Sequence, residues 1–285
     1  MVHMQGKICL VTGSTSGIGR VTALELAKMG ATVVLACRDK SKGEATRDEI
    51  KAQNGAVPVD VLLADLSSQQ AVRQLAQDFK DRYSRLDVLL NNAGAIFLRR
   101  STTIDGLERT FALNHLAPFL LTNLLLDTLK ASAPARIVTV SSGAHQGATI
   151  NFDDLQGERG YGGLKAYSQA KLATILFTHE LAKRLQGTNV TANCLHPGTV
   201  ATNFGNGNGP VLSFLVKLVM RTGISPERGA ETSVYLASSP DVEGVSGKYF
   251  SNCKEVRSSK ESYDDAAAQR LWEVSVELTK LSPAP

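Results

Sequence analysis

The chain is 285 residues long, with 43% hydrophobic residues, 20% charged residues and a formal net charge of +4. That length suits one buried core. Its basic residues are spread out with no dense run, which argues against nucleic-acid binding. The four cysteines, Cys9, Cys37, Cys194 and Cys253, form no C-x-x-C pair. Zinc ligation and a disulfide framework are therefore disfavoured, and buried thiols in a reducing, cytoplasmic compartment are expected. No membrane span is expected. The first apolar run ends at Thr12, and residues 211–220 contain Lys217 and cover only about half of the ~20 residues a bilayer crossing needs.

Short β-branched runs alternate with helix-like segments along the chain. Residues 7–12 (KICLVT) read as a strand and 17–29 as a helix. Residues 32–37 (TVVLAC) and 40–53 repeat the pattern, as do 57–64 and 69–83. A fourth strand at 86–91 (LDVLLN) precedes a long helix over 104–130. The fifth strand, 136–141 (RIVTVS), leads through a Gly-rich connection into a helix over 163–186, and 190–195 and 248–251 complete the strands. Near-continuous apolar strands of this kind are buried on both faces. Their alternation with helices implies an α/β fold: a doubly wound, mostly seven-stranded parallel sheet of Rossmann type, helices on both faces. No linker or repeat interrupts it, so residues 1–285 are expected to form one domain. The stretch around 202–223 is expected to lie at the carboxyl edge of the sheet as a substrate lid, where open α/β sheets bind ligands. A core helix or an oligomer contact are the other readings of that stretch, and a homo-oligomer is left open.

Strand one runs directly into Thr12-Gly13-Ser14-Thr15-Ser16-Gly17-Ile18-Gly19. Glycines there permit a tight turn and close backbone approach to a diphosphate, and the helix that follows offers its N-terminal amides. The spacing is Gly-x-x-x-Gly-x-Gly. It resembles the cofactor motif of the short-chain dehydrogenase/reductase family, in its compact single-domain branch. The resemblance implies that Gly13, Thr15, Ser16, Gly17, Ile18 and Gly19 bind a nicotinamide dinucleotide. Strand two ends in Cys37-Arg38, where NAD sites usually carry a carboxylate for the ribose 2′-hydroxyl. Arg38 suits the 2′-phosphate of NADP(H) instead, with Lys42 nearby; the alternative is a solvated residue at a helix start. Asp65-Leu66 matches the family position at the adenine ring, although Asp65 also reads as a helix N-cap. Asn92-Ala93-Gly94 matches the family's Asn-Ala-Gly motif, and as residue types it also suits a plain turn.

Tyr167 and Lys171 stand four residues apart in the helix after strand five, so they share one face. A phenol titrates near ~10. A neighbouring ammonium favours the phenolate, which lets the pair exchange a proton with a carbonyl or an alcohol. Ser142, at the end of strand five, matches the family residue that bonds the substrate oxygen; Ser141 is not given that role. Asn114 lies in the apolar Phe111–His115 stretch, and the resemblance implies that it holds a water linked to Lys171. A buried Asn bonding a helix carbonyl is the alternative. After strand six, His196-Pro197-Gly198-Thr199-Val200-Ala201-Thr202 resembles the family's Pro-Gly motif, so Pro197, Gly198, Thr199 and Thr202 are expected beside the nicotinamide. His115, His145 and His196 receive no chemical role, and no metal is expected.

Within the family, the Leu35–Asp39 segment, Lys171-Leu172-Ala173, Gly247-Lys248-Tyr249-Phe250-Ser251-Asn252-Cys253 and Arg270-Leu271-Trp272-Glu273 look like retinol dehydrogenases and WW-domain oxidoreductases. This similarity implies an NADP(H)-dependent enzyme that interconverts an apolar alcohol with an aldehyde or ketone. Eleven residues precede Thr12, too few for the anchor helix of membrane-bound relatives, so a soluble form is expected. Two rival functions are an NADP-binding redox sensor without turnover and an epimerase or dehydratase. The intact Ser142, Tyr167 and Lys171 set argues against the first, and the glycine spacing argues against the second.

Overall fold

The computed structural model describes residues 3–55, 57–198 and 223–281. Thr199, Thr202 and nearly all of the expected lid lie outside the described residues. Strands β1 (Ile8–Thr12), β2 (Thr32–Cys37), β3 (Val59–Leu63), β4 (Val88–Asn91), β5 (Ala135–Val140), β6 (Val190–His196) and β7 (Tyr249–Ser251) are all parallel. A two-residue strand β8 (Lys254–Glu255) adds an antiparallel edge through a hairpin. The order is β3-β2-β1-β4-β5-β6-β7-β8. The direction of winding reverses between β1 and β4, which opens a crevice at their carboxyl ends.

Alternate residues of each strand feed two separate cores. On β1, Leu10 points to one face while Cys9 and Val11 point to the other; Val34 and Ala36 on β2 oppose Val33 and Leu35 in the same way. One face is covered by α3 (Gln69–Arg82), α5 (Ala117–Leu124) and α7 (Gly163–Arg184), through Leu75, Phe79, Phe119 and Phe177. The other is covered by α1 (Gly17–Lys28), α2 (Lys40–Asn54) and α8 (Pro226–Ser238), through Leu26, Ile50 and Leu236. Burial on both sides is why the strands read as unbroken apolar runs. Helix α9 (Asp265–Thr279) packs on the outside of α7, with Trp272 edge-on to Phe119 and the Arg184 guanidinium 4.2 Å from the Trp272 ring.

The expected long helix over 104–130 is instead four segments. It begins at Arg109 because Glu108 caps it, its carboxylate accepting the Thr110 N–H at 2.8 Å and the Phe111 N–H at 2.7 Å. Residues before the cap turn back through a bridge between Thr102 and Glu108. The short α4 (Arg109–Phe111) passes into a π-helical turn over Ala112–Leu116, then α5, then α6 (Leu126–Ala131). All four cysteines are free thiols, no helix among the described residues is long and apolar enough to cross a membrane, and those residues hold no metal-ligating cluster.

Asp87, almost fully buried at the start of β4, ties the bottom of the sheet together. Its carboxylate accepts the Ile8 N–H at 2.9 Å, the Lys7 ammonium at 3.0 Å and the Arg85 guanidinium at 2.9 Å. Burial pushes its pKa up, but the bonds from Arg85, Ile8 and Lys7 outweigh that and hold it below the usual range. A carboxylate with a depressed folded pKa stabilises above its unfolded pKa of ~3.9, and that contribution disappears as pH falls through the folded value. Asp87→Asn should therefore cost about 2 kcal/mol near neutral pH. In thermal melts the gap to wild type should hold down to about pH 5, narrow as pH falls below that, and close only beneath the depressed folded pKa of Asp87.

Candidate active site

The crevice at the β1–β4 reversal is closed at its base by Thr12 and Asn92. The Thr12 hydroxyl donates to the Leu90 carbonyl at 3.2 Å and accepts the N–H groups of Asn92 and Ala93, each at 3.0 Å. The Asn92 amide donates back to the carbonyls of Thr12 at 2.8 Å and Gly13 at 3.3 Å. The glycine turn after β1 and the Asn-Ala-Gly turn after β4 are thus one bonded unit. Gly13 has φ of +65°, a conformation a side chain disfavours. Gly19 has no room for a Cβ, which would run into the Asn92 amide and the Gly13 carbonyl. Helix α1 opens at Gly17, its Ser16 N-cap makes no side-chain bond, and its first turn holds no acidic residue. Its N-terminal dipole is open to an anion. Thr15 and Ile18 are half-buried beside it and Ser16 is exposed.

Arg38 follows β2 and is exposed, with no hydrogen bond or ion pair to any described residue. The neighbouring Asp39 carboxylate is occupied as the cap of α2, accepting the Lys42 N–H at 3.1 Å. It also holds the Lys42 ammonium at 3.4 Å, so Lys42 is drawn to Asp39 rather than standing free beside Arg38. Asp65 does not cap α3; Ser68 does, accepting the Ala71 N–H. Instead Asp65 closes a tight turn by accepting the Ser67 N–H at 3.0 Å and hydroxyl at 2.7 Å. Burial raises the Asp65 pKa, but Ser67 and the charges of Arg38 and Arg109 bring it below the usual range. Leu66 is half-buried against the core beside it.

Ser142, Tyr167, Lys171 and Asn114 come together at the ends of β4 and β5. The Ser142 hydroxyl bonds the Tyr167 phenol and accepts the Ala144 N–H at 3.2 Å. Lys171 stands one helical turn after Tyr167 on α7, its ammonium 5.6 Å from the tyrosine ring centre and donating to the Val140 carbonyl at 2.9 Å. Ser141 is used otherwise, its hydroxyl donating to the Lys171 carbonyl and fastening α7 to β5. Asn114 lies in the π-turn, its amide donating to the carbonyls of Ala95 and Thr110, both at 2.8 Å. Its Oδ1 is buried with no partner among the described residues. Both it and the Lys171 ammonium flank bare Gly94, where a Cβ would stand 2.7 Å and 3.4 Å from them. Pro197 and Gly198 follow β6, and Gly198 lies against Ile224.

Burial dominates the titration of this group. It pushes the Tyr167 phenol up, against the bond from Ser142, and pushes Lys171 down to about 7. The Tyr167–Lys171 spacing by itself predicts a lowered phenol. That expectation needs a charged ammonium, and a lysine depressed to near neutrality is only partly charged. Sequence reasoning also missed Thr12, and the carbonyls of Ala95 and Val140, which any residue type supplies.

The residues fit a nicotinamide dinucleotide on two observations: the Cβ-free cradle at Gly13, Gly19 and Gly94, and the N-terminus of α1, whose cap makes no side-chain bond. Comparison with known proteins agrees. Residues 7–210 match the sequence profile of the family described as short chain dehydrogenase. Retinol dehydrogenase 14 of Mus musculus is 48% identical over 285 residues, spanning 95% of this chain and 85% of that protein. An uncharacterised protein from Mycobacterium paratuberculosis, of known crystal structure, is 35% identical with a TM-score of 0.78, over 98% of this chain and 96% of that one. RhlG of Pseudomonas aeruginosa, solved in complex with NADP, is 29% identical with a TM-score of 0.70, over 87% and 95%. The chain belongs to the short-chain dehydrogenase family. It is an oxidoreductase of the kind that acts on alcohols and uses a nicotinamide cofactor.

Proposed function

We propose that this protein is an NADP(H)-dependent reductase and dehydrogenase that interconverts apolar alcohols with their aldehydes or ketones. The observation that carries the proposal is the meeting of Ser142, Tyr167, Lys171 and Asn114 beside the cofactor cradle, with Asn114 Oδ1 unpartnered. NADP is favoured over NAD by the exposed guanidinium of Arg38, which makes no hydrogen bond or ion pair to any described residue, and by the commitment of the Asp39 carboxylate to capping α2. The structure of RhlG with NADP supports the same choice. An apolar substrate is supported by the retinol dehydrogenase relatives, by the apolar composition of residues 211–220, and by Leu164. That leucine is 69% exposed and lies one turn before Tyr167 on α7, a spacing that puts the two on neighbouring positions of one face.

The glycine turn and the start of α1 would hold the diphosphate and Arg38 the 2′-phosphate. Asp65 and Leu66 would border the adenine, Asn92–Gly94 and Lys171 the nicotinamide ribose, and Pro197 and Gly198 the nicotinamide. The nicotinamide, when bound, supplies or takes up the hydride. The Ser142 hydroxyl holds the substrate oxygen next to the phenol. In reduction Tyr167 gives its proton to that oxygen, and in oxidation it takes the proton from the alcohol. Lys171, poised near neutral pH by burial, supplies positive charge to the phenolate when protonated and passes protons at small cost. Asn114 Oδ1 accepts from a water that returns protons to Lys171.

Tyr167→Phe should lower kcat by about 10²-fold or more while changing NADPH affinity by less than about twofold, read by turnover and by fluorescence titration. Near-wild-type turnover would overturn the assignment. Arg38→Ala should weaken NADPH about tenfold or more and leave NADH within about twofold. Equal losses for both cofactors would remove the 2′-phosphate role.

A further inference from the structure

Two histidines grip the peptide group that follows Ser142. His145 is fully buried, its Nδ1 2.6 Å from the Ser142 carbonyl oxygen, and its Nε2 accepts the Ser259 N–H at 3.1 Å. A ring nitrogen that accepts an N–H carries no proton, and a carbonyl can only accept. The proton of His145 is therefore on Nδ1, donated to Ser142, and the ring is neutral. His196 does the reverse. Its Nδ1 accepts the Gly143 N–H at 3.0 Å, so its proton is on Nε2. Gly143 leaves space for that ring, since a Cβ there would stand 3.3 Å from Nε2. The Ser142 carbonyl and the Gly143 N–H belong to one peptide unit, so both polar ends of that unit are fixed.

The far side of His145 is fastened too. Ser259 lies in a strap whose Ser258 and Ser262 hydroxyls bond each other at 2.6 Å, and the Ser258 N–H donates to the Tyr263 hydroxyl. His179, on α7, has its Nδ1 2.8 Å from the Ser262 carbonyl. The strap is thus tied to the helix that carries Tyr167 and Lys171. The Tyr249 ring packs edge-on to His145 at 4.9 Å between ring centres. The strap lies beyond residues 7–210, the part that matches the family's sequence profile.

We propose that His145 is a positioning residue for the reaction, and that through it the carboxyl-terminal strap around Ser259 sets the orientation of Ser142. The proposal rests on the reading of Ser142 and Tyr167 as the reacting pair. The Ser259 N–H fixes the imidazole, the imidazole fixes the Ser142 carbonyl, and the Ser142 backbone aims its hydroxyl at Tyr167. A misplacement of about 1 Å at such a group costs up to about 10²-fold in rate. The effect should therefore fall on kcat and leave the distant cofactor cradle alone.

The test is a mutant cycle in the full chain, using NADPH and the apolar aldehyde that the wild type reduces fastest. His145→Phe should lower kcat about tenfold or more, with NADPH affinity within about twofold. His145→Asn, which keeps a donor for the Ser142 carbonyl, should recover part of that loss. In a Ser142→Ala background, His145→Phe should cost less than about twofold, because the group it positions is gone. An equal loss in both backgrounds, or an unchanged kcat in His145→Phe, overturns the proposal. Wild-type activity in Ser142→Ala alone overturns the reading of Ser142, and is seen without any change at position 145. Should His145→Phe fail to fold, long-range proton–nitrogen NMR of the wild type decides: protonation of His145 at Nδ1 alone is expected, and protonation at Nε2 overturns the brace.

Discussion

The site depends on the lock between Thr12 and Asn92. It sits where the sheet reverses its order, between β1 and β4, and uses one hydroxyl and one amide to satisfy five backbone groups across the crevice. Unpaired, those groups would each cost about 1–3 kcal/mol in a buried setting. Paired, they hold two turns in contact, and the contact leaves no space for a side chain at Gly19. The same Asn-Ala-Gly turn then runs past Asn114 and Lys171 at Gly94. The diphosphate cradle and the proton-handling group are thereby parts of one rigid edge.

A second constraint is burial of the charge that the chemistry needs. Lys171 is nearly fully buried, with the Val140 carbonyl as its hydrogen-bond acceptor, and its pKa is brought down to about 7. Such a lysine changes protonation near neutral pH at little cost, which is what a proton relay requires. The π-turn at Asn114 belongs to the same arrangement. Its extra residue lets the Asn114 amide reach both Thr110 and Ala95 and leaves Oδ1 free for another donor. Such bulges in a helix often occur at functional sites.

Much of the fold was legible because strands buried on both faces leave an unambiguous apolar record, as TVVLAC does for β2. The helix over 104–130 misled because its apolar spacing continues through breaks that are set by hydrogen bonds. The carboxylate of Glu108 starts it late, and the π-turn and Leu125 interrupt it. Residue types alone also offered Asp65 as a helix N-cap and Lys42 as a partner of Arg38, whereas Ser68 caps α3 and Lys42 is paired with Asp39. The coming together of Ser142, Tyr167 and Lys171 was legible through the family motif, whereas the direction of their pKa shifts depends on burial that no spacing reveals. His145 was invisible for a similar reason: its partners are backbone groups, one of them more than a hundred residues away.

The account turns on hydride transfer at this edge, and isotope transfer reads it directly. NADPH deuterated at nicotinamide C4, in each of its two configurations, would be incubated with the protein and a panel of retinal, aliphatic aldehydes and aromatic ketones. The alcohol product would then be analysed by mass spectrometry. The account predicts one deuterium on the former carbonyl carbon from one of the two configurations. Cofactor that is bound but transfers no deuterium to any member of the panel would contradict it.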